Sequence, residues 1–141
     1  MSSARSESLE DAPVGIRVKI SGLWVAMLFL FAYGDIFGFF APGHIEEIAR
    51  GEISGIAITQ VFLFAVSGYI AIASVMVFLT LVLRPSINRW ANIVLPILYI
   101  VSIVGSAIGE DAYFILLSVL EGALLGLIVW YAWTWPRRVA V

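Results

Sequence analysis

Two carboxylates stand in apolar runs of bilayer-spanning length: Asp35 in "FAYGDIFGFFAPGH" and Glu121 in "LEGALLGLIVW". An ionised acid at mid-bilayer costs at least about 2.5–3.5 kcal/mol on insertion scales, so an acid held there points to a bound proton, cation or small ligand. Asp35 lies six residues before Ala41, roughly 9 Å below the stop at Pro42-Gly43 at helical rise. Glu121 lies nine residues into its own run, roughly 14 Å down from the same side. The two runs point in opposite directions, which brings both acids to neighbouring depths. Two carboxylates that meet in low dielectric disfavour a double charge, so a shared proton is expected. The plainer alternative is a neutral carboxyl held by a serine or backbone hydrogen bond.

Other polar groups fall at helical spacing around them. Gln60 and Ser67, with Ala71 and Ser74, lie near one face of the second apolar run. In the third, Ser102, Gly105, Ser106 and Gly109 recur at i, i+3, i+4 and i+7. Gly34 and Gly38 bracket Asp35, while Gly122 and Gly126 follow Glu121, with Ser118 one turn before it. Small faces of this kind let helices approach closely in lipid. The expected site is therefore Asp35 and Glu121 with Gln60, Ser67, Ser102 and Ser106, and the six glycines serve packing.

The chain that must position these groups has 141 residues, 62 % hydrophobic and 13 % charged, with a mean hydropathy of +1.03. Soluble domains carry about 25 % charged residues, so this is a membrane composition. A net charge of −2 gives no basic cluster for nucleic acid. Without cysteine, thiolate metal sites and dithiol chemistry are excluded, and the single histidine, His44, excludes a His pair within one chain. His44 follows a proline turn and reads as a solvated loop residue. No nucleophile–base set, metal cluster or cofactor fingerprint is present, so no catalytic residue, metal or cofactor is assigned.

Four stretches meet the roughly 20-residue requirement of a bilayer helix: 20–41, 55–83, 90–109 and 112–135. Residues 1–18 are polar and read as a disordered tail ahead of a four-span domain over 19–138. The first run is too long for a signal-peptide core and lacks a cleavage-site pattern, so it reads as a retained span. Arg5, Arg17, Lys19, Arg84, Arg89, Arg137 and Arg138 fall on one side, and Arg50 alone faces Glu46, Glu47, Glu52, Glu110 and Asp111 on the other. The positive-inside rule then places both termini in the cytoplasm. Trp24, Trp90, Trp130, Trp133 and Trp135 fall near the cytoplasmic ends, as an aromatic belt requires. Ile45, Ile48, Ala49 and Ile53 predict a short amphipathic helix on the outer leaflet. Short loops elsewhere make an all-α, up-and-down four-helix bundle the expected fold.

The strings "LW" at 23–24, "YGDIFGFFAPGHIEEIARGEISG" at 33–55, "NRWANI" at 88–93 and "LEGALLGLIVWYAWTWP" at 120–136 resemble a family of small bacterial four-helix membrane proteins of unknown function. That resemblance implies family positions at Asp35, Pro42-Gly43 and Glu121, and an inner or plasma membrane location. It also implies a Glu and a Pro in mid span two, where this chain has Ala71 and Ala73. A likeness to DoxX-like proteins is one of architecture alone.

Small-ligand or proton binding, or transport, at an outer-half acidic site is the leading expectation. A structural or accessory subunit, alone or in a homo- or hetero-oligomer, is the alternative. An intramembrane enzyme with the two acids as acid and base on a lipid-soluble substrate ranks below both. Arg84, Arg89, Arg137 and Arg138 are expected to meet anionic lipid headgroups, at about 1 kcal/mol each.

Overall fold

Proline and glycine decide where the apolar runs become helices. The structure, a computed structural model, describes residues 12–136. It contains α1 (Ile16–Gly38), α2 (His44–Ala49), β1 (Glu52–Ile53), β2 (Ile56–Ala57), α3 (Gln60–Val82), α4 (Pro85–Ser106) and α5 (Ala112–Trp133). Thr59 caps α3 by accepting a 3.1 Å hydrogen bond from the Phe62 amide. Leu83 is extended ahead of Arg84-Pro85, which ends α3, and Pro85 then opens α4 where no amide donor is needed. Gly43 (φ 87°) and Gly109 (φ 86°) supply left-handed turns after α1 and α4 that a side chain would strain.

Four of the five helices are long and apolar enough to cross a membrane. Their limits differ from the sequence expectation in physically explicable ways. α1 starts at Ile16, inside the stretch read as tail, with the extended Gly15 as its N-cap. It stops at Gly38 rather than Ala41. The second span starts at Gln60 instead of residue 55, since residues 52–57 form an antiparallel hairpin, the one departure from an all-α chain among the described residues. Ser54 (φ 49°) and Gly55 (φ 74°) supply the two positive dihedrals of its two-residue turn. The outer surface helix is correspondingly short, ending ahead of Gly51 (φ 82°). The third span is displaced towards the N-terminus, starting at Pro85 and ending at Ser106. Residues 1–11 and 137–141, with most of the expected tail and with Arg137 and Arg138, lie outside the described residues.

Side-chain contacts fix how the long helices meet. α1 runs antiparallel to α3, with Arg17 Nη1 donating to the Leu81 carbonyl at 2.7 Å and Ser21 Oγ to that of Val77 at 2.8 Å. Against α5 it is antiparallel as well: the Lys19 ammonium sits 5.6 Å from the Tyr131 ring and Gly34 lies against Leu117. Arg89 on α4 donates to the Ala132 carbonyl near the end of α5 at 3.2 Å. One end of the helices is thus basic, and the opposite end carries the hairpin.

The packed core lies towards the basic end, around Ile20, Trp24, Met27, Met76, Ile93, Leu125 and Ile128. At its centre is a hydrogen-bonded set with no solvent exposure. Trp24 Nε1 donates to Asn92 Oδ1 at 2.7 Å, and Asn92 Nδ2 to Asn88 Oδ1 at 2.7 Å. Asn88 Nδ2 donates to the Thr80 carbonyl at 2.6 Å. Trp24, Thr80, Asn88 and Asn92 are each 0 % exposed, so Trp24 is a core residue and not a belt anchor. Trp90, Trp130 and Trp133 are exposed.

Removing Asn92 strands the Trp24 and Asn88 polar groups in a dry site. Asn92→Leu is expected to lower unfolding free energy by about 2 kcal/mol in bicelle steric trapping. Ser74→Ala, whose hydroxyl bonds only to its own helix, is expected to cost less than about 0.5 kcal/mol.

Candidate functional site

Nearer the hairpin end the core gives way to a pocket of about 380 Å³. Each long helix lends it one face at helical spacing. α1 supplies Phe31, Gly34 and Asp35, and α3 supplies Val66, Tyr69 and Ile70. Ser102, Ile103 and Ser106 come from α4, and Phe114, Leu117, Ser118 and Glu121 from α5. The α1 and α3 sets are i, i+3, i+4, the α5 set extends to i+7, and the α4 set is i, i+1, i+4, so each comes from one face of its helix.

The two acids occupy different levels. Asp35 is exposed at the rim, three residues from the end of α1 and so roughly 4.5 Å inside it. Glu121 lies nine residues into α5, roughly 14 Å along the helix, and is only 7 % exposed. No group among the described residues hydrogen-bonds either carboxylate; the Glu121 oxygens open into the pocket instead of being sealed beside an absent partner.

The wall facing the core is aromatic. Tyr69 and Tyr99 have ring centroids 4.4 Å apart, Phe31 stacks on Tyr69 at 5.9 Å, and Trp24 meets Tyr99 edge-on at 5.7 Å. Hydroxyl protons on this wall are already committed. Ser102 Oγ donates to the Tyr99 carbonyl at 2.9 Å, so its 2.6 Å contact with Tyr69 has the tyrosine as donor. The Tyr99 hydroxyl donates to the Tyr69 carbonyl, and Ser106 Oγ to that of Ile103 at 3.0 Å. What Tyr69, Ser106 and the two acids present to the cavity is oxygen lone pairs.

The sequence-derived set is therefore divided. Asp35, Glu121, Ser102 and Ser106 come together. Gln60, at the exposed start of α3, and Ser67, on its outer face, do not line the pocket. Tyr69, Phe31 and Phe114 were not among the expected site residues, and a helix as evenly apolar as α3 carries no phase signal that could have found Tyr69. His44 is tied back to the helix, its Nδ1 3.0 Å from the Gly38 carbonyl, which closes the end of α1. Among the described residues no three His, Cys, Asp or Glu side chains gather as metal ligands.

The glycines divide too. Gly34 lies where a Cβ would stand 3.5 Å from Leu117, and Gly38 faces His44 and Tyr113. At Gly105, Gly109, Gly122 and Gly126 a Cβ would meet nothing within 4 Å. None of the described residues packs against these four positions, and Gly109 serves its turn. A hollow of about 510 Å³ around Trp90 and Val94 is lined by α4 alone and is a surface groove rather than a cavity between helices.

The profile of a family of unknown function, DUF6326, matches residues 15–140, which include all four long helices and both acids. No curated protein and no solved structure matches the chain.

The open glycine faces lead to a direct test. Gly122→Ala and Gly126→Ala are expected to leave the monomer as stable as the parent or up to about 1 kcal/mol more stable, the gain coming from helix propensity. A loss above about 1 kcal/mol in steric trapping would mean that another surface covers this face.

Proposed function

We propose that this chain, which belongs to the DUF6326 family of unknown function, is a multi-pass membrane protein that binds or transports a small ligand or proton in the pocket between Asp35 and Glu121. The observation that carries this reading is Glu121. It is more than nine-tenths buried, has no hydrogen-bond partner among the described residues, and faces a cavity. A carboxylate left so costs several kcal/mol unless something neutralises it, and no arginine, lysine or histidine lines the pocket to do so. A proton or a bound ligand meets that need.

The orientation that suits this role is an up-and-down four-helix bundle with both termini in the cytoplasm and the pocket in the outer half. Its support is the basic end, where Arg17, Lys19, Arg84 and Arg89 gather. Arg89 lies 5.8 Å from the Trp90 ring and 5.7 Å from that of Trp133, an arrangement suited to an interface. Arg84 and Arg89 there favour anionic headgroups.

A second reading, an accessory membrane subunit, draws on a different observation. Gly122 and Gly126 present an uncovered G-x-x-x-G face on α5 that suits another helix.

Native mass spectrometry from mild detergent tests the leading reading. The wild type is expected to carry a discrete small-molecule adduct that an Asp35→Asn/Glu121→Gln double variant lacks. Identical spectra from two folded proteins would favour the accessory role. Orientation is read separately, because the chain has no cysteine. In right-side-out vesicles Ser54→Cys is expected to react with an impermeant maleimide and Ser86→Cys only after lysis.

A further inference from the structure

We infer that the pocket is built for a small lipophilic ammonium ion, one with an apolar or aromatic body and at least one N–H. This rests on the reading of the pocket as a ligand site and names its ligand class. Three independent features of the cavity agree on it.

The first is charge. Among the described residues, the ionisable side chains on the lining are Asp35 and Glu121 from α1 and α5 and the Tyr69 phenol from α3, with none from α4. A cation is opposed by nothing there. The second is hydrogen-bond polarity. The protons of Tyr69, Ser102 and Ser106 are committed to Ser102 and to the Tyr99 and Ile103 carbonyls, which leaves Ser118 as the one lining hydroxyl whose proton has no acceptor among the described residues. A ligand acceptor would find few donors, whereas an ammonium N–H finds the Glu121 oxygens and hydroxyl lone pairs. An anion is disfavoured on both counts, and a neutral carbonyl compound on the second. The third is the apolar lining. Phe31, Tyr69 and Phe114 offer ring faces to a cation, and Ile103 and Leu117 offer surface to a hydrocarbon body.

The levels of the acids add a direction. Asp35 at the rim is the first charge met from the hairpin end, and Glu121 is the partner that desolvates with the ligand. The contacts between α1, α3 and α5 put Tyr69 at the level of Glu121, so an ammonium head paired with Glu121 sits beside the Tyr69–Tyr99–Phe31 ring cluster.

Calorimetry on the protein in nanodiscs, with empty nanodiscs subtracted, tests this with three probes of one shape: phenethylammonium, propylbenzene and 3-phenylpropanoate. Phenethylammonium is expected to bind at least tenfold more tightly than either of the others. Glu121→Gln is expected to weaken it at least tenfold, Asp35→Asn to a smaller extent, and Glu121→Asp to retain part of the binding. Should Glu121→Gln not fold, the ranking of the three probes on wild type still decides. Equal binding of propylbenzene, or preference for 3-phenylpropanoate, overturns the ammonium assignment and leaves the pocket as a site of another class. No binding by any probe also overturns it. The reading of the pocket as a ligand site then falls only if the native spectra of wild type and double variant coincide as well.

Discussion

A polar group inside a bilayer has no water to turn to, and the arrangement of this chain follows from how it meets that constraint. Trp24, Thr80, Asn88 and Asn92 meet it by satisfying one another across α1, α3 and α4. Each bond contributes only about 1 kcal/mol net, but leaving any of these groups unpaired costs more than making it gains. The set therefore fixes register: sliding one helix by a turn would strand several polar atoms in a dry core. With register fixed at the basic end, the faces that converge at the other end are fixed too. That is how Phe31, Tyr69, Ser102 and Glu121, drawn from four helices, come to line one cavity.

Against this background Glu121 is the exception. The asparagines and the tryptophan are fully buried and paired, while the glutamate is nearly as buried and has no hydrogen-bond partner among the described residues. On the proposed reading, this acid facing a cavity is the group that a proton or ligand meets. The aromatic wall of Tyr69 and Tyr99 divides the two regimes, a dry and matched core on one side and a polar cavity on the other.

Much of the architecture was legible in the sequence because hydropathy and chain punctuation are strong signals. Four apolar runs, Pro42-Gly43 and Arg84-Pro85 located the long helices to within a few residues, and the burial cost of Asp35 and Glu121 singled out the two acids. What could not be read was helical phase. α3 is apolar all round, so nothing in its sequence told that Tyr69 faces the cavity while Gln60 and Ser67 face away. Neutral amides near a helix end look like interface residues, so Asn88 and Asn92 drew notice only as part of a family-like string and Trp24 passed for a belt residue. Small residues at i and i+4 signal permission for close approach, not its occurrence. Gly34 meets a neighbouring helix, whereas Gly122 and Gly126 meet none. The hairpin over 52–57 escaped because the isoleucines that suggested a surface helix alternate as readily in a two-residue turn.

The central claim is that a water-accessible cavity reaches Glu121 from the hairpin side and stops at the aromatic wall. The absence of native cysteine makes it testable by thiol accessibility. Glu121→Cys and Leu125→Cys, one turn apart on α5, would be exposed in intact cells to a membrane-impermeant cationic methanethiosulfonate. The account predicts that the thiol at position 121 is modified and that the fully buried one at position 125 is not. An unreactive thiol at position 121, or equal reaction at both positions, would contradict it.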